Sequence, residues 1–345
     1  MGATHATGAA PAPGAARLAQ HVRTLGRGPG RSRSLSFAEA RDAMAVILGG
    51  EAAPEAVGAL LMLMRFRGET PDEIAGFVAA LRDTLPVWSG TRPGLDWPCY
   101  AAGRSRGLPW FLLAARVLAA TGTPVLLHGP AGRGGVPASV PAALAAAGIP
   151  RAADPAEAAA HLSAGGIAFL PLHAISADAQ RLLDLRAVLG LRSAVNTTLR
   201  MSNPAGAAAS VQGVFHPPYR GLQQGAAMIL GDASTLVIKG GGGEFERHPS
   251  KAVSLWGQKA GAAWSGTAPA LLPETAQRLA DGPGADDPAA LTRLWSGEDD
   301  DRFAAAIVTG TLALALLALG RAATPEAADA AAAALWADRH ALTPA

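Results

Sequence analysis

Three short segments constrain the fold of this chain more than anything else in it. Pro124–Gly129 (PVLLHG), Gly165–Leu172 (GGIAFLPL) and Ser234–Gly243 (STLVIKGGGG) each carry a run of apolar residues with glycine or proline at the ends. A run that short, apolar on successive residues, fits a strand buried on both faces. Helical stretches separate the three, beginning with the apolar one that Pro109 opens and Gly122 closes. Strands alternating with helices predict a mostly parallel central sheet flanked by helices.

The N-terminal part follows a different period. Ser36-Phe37-Ala38-Glu39 and Thr70-Pro71-Asp72-Glu73 are capping boxes, in which the hydroxyl and the glutamate each satisfy a free N–H of the first helical turn. Ala40, Ala43, Met44, Ile47 and Leu48 recur at helical spacing up to Gly49. Val57, Leu60, Leu61 and Met64 do so after Pro54, and Ile74, Phe77, Val78, Leu81 and Leu85 after Pro71. These helices predict a small helical domain over residues 21–90, ahead of an α/β domain over 91–345. Residues 1–20 have no apolar core like that of a signal peptide and read as a disordered tail. The most apolar run, Ile307–Gly320, is shorter than the roughly 20 residues that span a bilayer. A buried helix, no membrane contact and a cytoplasmic location are therefore expected. Asp281–Ala290, rich in proline and acid, reads as a surface loop.

Composition narrows the chemistry. Cys99 is the one cysteine, which excludes an intramolecular disulfide and fits a reducing compartment; without a readable histidine partner it reads as a buried thiol. None of the 8 histidines has zinc-ligand spacing, and no helix-turn-helix or zinc-finger signature supports sequence-specific DNA reading. The net charge of +2 is unevenly spread: from Leu271 onward there are 11 acids and 5 bases, against 24 bases and 16 acids before it. A basic body fits a polyanion partner, and equally fits mixed solvated surfaces.

Several segments, in order, resemble one family. FAEARDAMAVILGGEAAPEAVGALLMLMRFRGETPDEIAGFVAALRDTL is similar to the N-terminal helical domain of anthranilate phosphoribosyltransferases, including the turn at Arg65–Gly76. LRAVLGLRSAVNTTLRMSNPAG (Leu185–Gly206) resembles that family's R-x-x-L-G-x-R-T…N-P-A segment, and VQGVFHP and LVIKGGGGEFERHP resemble its later strands. The resemblance implies the nucleoside phosphorylase/phosphoribosyltransferase type of fold: a helical domain, with helices from about 176–200 packing on it, a larger α/β domain and a cleft between them. It also implies a homodimer through the helical domain.

The departures from the enzymes matter as much. Where they carry G-T-G-G-D, whose bare backbone approaches the pyrophosphate of phosphoribosyl pyrophosphate, this chain has Trp97-Pro98-Cys99-Tyr100-Ala101-Ala102-Gly103-Arg104. Their K-H-G becomes Leu127-His128-Gly129, and their magnesium-holding D-E pair falls on Phe245-Glu246, just after Glu244. With DWPCYAAGRSRGLPW and KGGGGEFER, the chain resembles the YbiB-like branch, whose members are similar to nucleic-acid binders.

Candidate phosphate-binding residues are Arg104 and Arg106, whose guanidinium forks suit a phosphate backbone, and Arg133 in the loop after the first predicted strand. Exposed ion pairs are the alternative role for them. His128 ends that strand at the expected cleft edge, or is an interior histidine. Arg186 and Arg192 match family positions, the first corresponding to an arginine that contacts the aromatic acid in the enzymes; a helix-end ion pair is the other role open to it. Lys239, Arg247 and Lys251 surround the glycine run, which suits either a phosphate cradle or a turn. Trp97, Tyr100 and Trp110 interleave with the arginines as stacking platforms do, or belong to the core. Glu244 and Glu246 are the one candidate metal pair. Two functions follow. One is a sequence-tolerant binder of nucleic acid, single-stranded by preference, with no cofactor. The other is a phosphoribosyltransferase acting with Mg²⁺ on an unidentified acceptor.

Overall fold

The computed structural model describes residues 13–100, 107–132, 139–277 and 286–342. Four helices come first: α1 (Pro13–Gly26), α2 (Phe37–Leu48), α3 (Pro54–Arg67) and α4 (Pro71–Thr84). Both expected capping boxes form, at Ser36/Glu39 on α2 and Thr70/Glu73 on α4. Residues 13–20, expected in a tail, instead begin α1. This helix buries Leu18 and Leu25, and its His21 Nε2 lies 2.8 Å from Asp42 Oδ2 on α2.

The α/β part then runs β1 (Leu95–Pro98), α5 (Phe111–Ala120), β2 (Val125–Gly129), α6 (Val140–Ala143), α7 (Pro155–Gly165), β3 (Ile167–Pro171) and α8 (Leu172–Ile175). Next come α9 (Ala177–Leu189), α10 (Ala194–Arg200), β4 (Ala209–Val214), α11 (Tyr219–Leu230), β5 (Ser234–Lys239), β6 (Val253–Lys259) and β7 (Ala262–Ala268). The chain closes with α12 (Ala289–Ser296), α13 (Arg302–Ala318) and α14 (Pro325–Ala337). The small helical N-terminal domain and the mostly parallel sheet flanked by helices are thus as expected. The apolar run at Ile307–Gly320 falls largely on α13, which packs against α5, and among the described residues no helix is long and apolar enough to cross a membrane.

The seven strands are ordered β3-β2-β1-β4-β5-β6-β7, with β1 to β5 parallel and β6 and β7 antiparallel. Alternate side chains of β2 enter separate cores: Val125 and Leu127 pack toward α5, Leu126 toward α7. Helices cover both faces, as a parallel sheet requires. The chain winds outward from β1 in one direction and from β4 in the other. In sheets of this order, ligands bind beyond the carboxyl ends of the strands, at the point of reversal between β1 and β4.

Two features hold the helical domain over that point. Helices α9 and α10 join its apolar core through Ala179, Leu182, Val195 and Leu199. Arg82 of α4 donates to both carboxylate oxygens of Asp232, at 2.7 and 3.2 Å, and to the carbonyls of Met201 and Ser202. On the sheet side, Gly213 of β4 passes directly against the Glu244–Phe245 backbone, where any Cβ would collide.

Candidate functional site

A cavity of about 260 Å³ opens at the reversal point. Tyr100, just past β1, and Val214, Phe215 and His216, at the end of β4, form its sheet side; Arg65, Arg186, Arg192, Asn196 and Arg200 come from α3, α9, α10 and the turn between them. A second cavity of about 480 Å³ shares Tyr100, Arg186 and Asn196 with it. That cavity continues past Pro130 and Gly132 after β2 to His173, Gln180 and Asp184. The two make one cleft along the carboxyl ends of the strands.

Four arginines dominate the first cavity. Among the described residues none of Arg65, Arg186, Arg192 and Arg200 has a carboxylate within ion-pair distance, and no carboxylate lines the cavity. Burial, then the like charges of Arg186, Arg200 and Arg65, lower the Arg192 guanidinium to about 10. Burial also lowers Arg200, with the charge of Glu244 acting the other way. Arg200 is 6% exposed; it donates to the Tyr100 carbonyl at 2.8 Å, while its Nε is buried without a hydrogen-bond partner among the described residues. Arg65 is steered by Tyr219, whose hydroxyl accepts from Arg65 Nη1 at 3.0 Å and donates to Glu69 at 2.8 Å. Burial and the Glu69 charge raise that phenol to about 12, so it remains a neutral donor. Guanidinium groups crowded in this way, partly desolvated and uncompensated, favour a bound anion.

Beneath the cavity lies a buried polar chain. Asp96 Oδ2 accepts from Ser210 Oγ at 2.9 Å, and its Oδ1 is 3.0 Å from His128 Nε2, aligned too poorly for a full hydrogen bond. His128 Nδ1 is 3.2 Å from the Tyr100 hydroxyl. A carboxylate only accepts, so the imidazole proton fits on Nε2, leaving Nδ1 to accept from Tyr100. Burial and the Asp96 charge hold the Tyr100 phenol well above its ordinary value. The Cys99 thiol is pushed up by burial and by Glu244 and Asp96, which keeps it protonated.

The sequence-based candidates divide accordingly. Arg186 and Arg192 stand together in the cavity; Arg104, Arg106 and Arg133 lie outside the described residues. Lys239 and Lys251 are exposed at the same sheet edge but line neither cavity. Arg247 is not available to a ligand: it is fully buried, paired with both carboxylate oxygens of Asp329 at 2.5 and 3.2 Å, and donates to the Pro269 carbonyl. His128 is interior and reaches the cleft only through Tyr100. The three expected stacking platforms are core residues. Trp97 is fully buried, stacked on Phe111 at 5.8 Å and edge-on to Phe245 at 5.6 Å, and Tyr100 and Trp110 are also buried. Stacking a base needs an open face, which burial removes.

The glycine run forms a tight turn whose Gly242 and Gly243 have positive φ, closed by Gly241 N–H on the Glu246 carbonyl. Glu246 turns its carboxylate inward to accept the Phe111 N–H at the start of α5, 3.2 Å away. Among the described residues no group of three or more His, Cys, Asp or Glu side chains is placed to hold a metal ion. Arg65, Arg200 and Phe215 went unassigned in the sequence. Arg65 and Arg200 both stood in quoted motifs, Arg65 in the turn at Arg65–Gly76 and Arg200 in the Leu185–Gly206 segment, but only the fold aims them at the cleft.

With this geometry in view, comparison with known proteins is specific. The helical bundle domain of the glycosyl transferase family matches residues 20–85, and the α/β domain of that family matches residues 111–341. An anthranilate phosphoribosyltransferase from Parvibaculum lavamentivorans is 32% identical over 85% of this chain and 86% of that protein. One from Chelativorans sp. is 30% identical over 66% of each, and one from Methylocella silvestris 32% identical over 61% of this chain and 60% of that protein. The chain thus spans under two thirds of the length of some of these relatives. The crystal structure of anthranilate phosphoribosyltransferase from Thermus thermophilus shares the fold, with a TM-score of 0.75 at 24% identity over 93% of this chain and 94% of that one. With both domains matched in order, and a relative aligned over most of its length, the chain belongs to the glycosyltransferase family 3, in its anthranilate phosphoribosyltransferase-like group.

Proposed function

We propose that this chain binds the sugar–phosphate backbone of single-stranded nucleic acid in the cleft between its domains, without sequence preference, and that it does not transfer phosphoribose. The observation that carries the reading is the cluster of Arg65, Arg186, Arg192 and Arg200 without a carboxylate partner among the described residues. Such a cluster is a phosphate site, and the continuation of its cavity into a second suits a polymer over a compact ligand. The basic balance of the chain before Leu271 adds long-range attraction.

The donor side supports the same reading. A helix N-terminus is a ready seat for phosphate, but Glu246 already accepts from the first N–H of α5. The Trp97–Phe111–Phe245 stack fills the ground beside it. The resemblance sets Phe245, a buried ring, where the enzymes carry the first carboxylate of their magnesium pair, which supports a cleft that works without that metal. A homodimer through the helical domain belongs to the proposal; Phe66 of α3 is 91% exposed and Val188 of α9 is 81% exposed, apolar surface that a second copy would cover.

Phosphoribosyl transfer is the second reading, favoured by the names of the relatives, which are anthranilate phosphoribosyltransferases. Titration calorimetry separates the two. Phosphoribosyl pyrophosphate with Mg²⁺ is expected to give no heat at millimolar concentration, whereas a short oligodeoxythymidine gives saturable binding. Heat from the sugar donor that depends on magnesium, with none from the oligonucleotide, reverses the assignment.

A further inference from the structure

Among the described residues Phe215 joins none of the hydrophobic core clusters. It follows directly on β4 at the reversal point, is 50% exposed, and its one ring neighbour among the described residues is His216, edge-on at 4.9 Å. Leu191, 55% exposed, lines the same cavity. Exposed apolar groups of this kind beside guanidinium groups are unexplained by a simple inorganic anion or a sugar phosphate, which would use the arginines alone. A nucleotide unit has both faces: a phosphate for the arginines and a flat apolar base for the ring.

Resting on the nucleic-acid reading above, we infer that the cavity takes one nucleotide unit of a single strand. Its phosphate lies among Arg65, Arg186 and Arg192, and its base lies against Phe215 and Leu191. Arg200 also lines the cavity, and its buried Nε has no hydrogen-bond partner among the described residues. Stacking accepts any base, because each has a π-face, so this contact adds affinity without adding sequence preference. The strand continues through Arg186 and Asn196 into the adjoining cavity, where Gln180, Asp184 and His173 offer hydrogen-bonding groups to the next unit. The platform that the sequence suggested at Trp97, Tyr100 and Trp110 is thereby moved to Phe215.

The test compares two labelled oligomers of equal length and charge, oligodeoxythymidine and its abasic sugar–phosphate counterpart, by fluorescence anisotropy. Phe215→Ala is expected to weaken the thymidine oligomer by about tenfold and to leave the abasic one unchanged. Phe215→Trp is expected to bind the thymidine oligomer at least as tightly as the native protein. A Phe215→Ala variant that binds both oligomers as the native protein does overturns the inference and leaves the arginine site standing. Failure of the native protein to bind either oligomer removes the nucleic-acid reading itself, and the stacking site with it. Since Phe215 is half-exposed and outside the core, an unchanged melting temperature is the expected control.

Discussion

Replacing Arg186 and Arg192 together by alanine is expected to weaken binding of a single-stranded oligonucleotide by 100-fold or more. Each guanidinium offers charge-assisted hydrogen bonds to phosphate, of about 1.5–3 kcal/mol each, in a cavity that already excludes part of the solvent. Two such losses correspond to about 3–6 kcal/mol. The same substitution relieves repulsion, because Arg186 and Arg200 act on Arg192 as like charges. The double variant is therefore expected to melt no lower than the native protein. Loss of affinity without loss of stability identifies residues held together for a ligand rather than for the fold. Anisotropy titration and thermal denaturation on the same preparation measure both, and unchanged affinity would remove these arginines from the site.

Asp329→Ala is expected to have the opposite profile, costing the fold about 3–5 kcal/mol while leaving the cleft chemistry in place. Arg247 is fully buried, and Asp329 supplies both oxygens opposite its guanidinium. Removing the carboxylate leaves a desolvated cation whose guanidinium keeps, among the described residues, the Pro269 carbonyl as its partner. Replacing both members with apolar residues, Arg247→Met with Asp329→Leu, is expected to cost less than Asp329→Ala alone, because no charge is then stranded. Urea denaturation measures each. Full stability of Asp329→Ala would show that the Arg247 charge has another counterpart.

How much of this was legible in the sequence depends on how local each determinant is. The capping boxes on α2 and α4 need only four consecutive residues, and both formed as read. Strands β2, β3 and β5 were visible because they are apolar throughout with glycine or proline at an end. Strand β1 was not, since its four residues include Asp96 and Pro98. Asp96 is tolerated inside because Ser210 and His128 meet it from neighbouring strands, and no local pattern announces those partners. Strands β6 and β7 hold an antiparallel edge whose polar outer residues blur the signal.

The site follows the same rule. Arg186, Arg192 and Arg200 belong to one continuous motif, in which matching family positions singled out the first two; Arg200 and Arg65 join them only when α10 and α3 meet over the sheet. Trp97 and Arg247 were misread for a shared reason. Each looked like a contact residue in a run of contact residues, and each is claimed by a distant part of the chain, Trp97 by Phe245 and Arg247 by Asp329.

The most direct test of the account is the salt dependence of single-strand binding by the native protein. Each phosphate neutralised on a single strand contributes a slope of about −0.7 in log K against log salt concentration, so one phosphate held among the arginines of the cavity, and a second where the strand passes into the adjoining one, predict a slope of about −0.7 to −1.4. A slope in that range, moving toward zero when Arg186 and Arg192 are both alanine, is the result expected. A slope near zero, or binding that leaves the slope unchanged in the double variant, would contradict the assignment of this cleft to a nucleic-acid backbone.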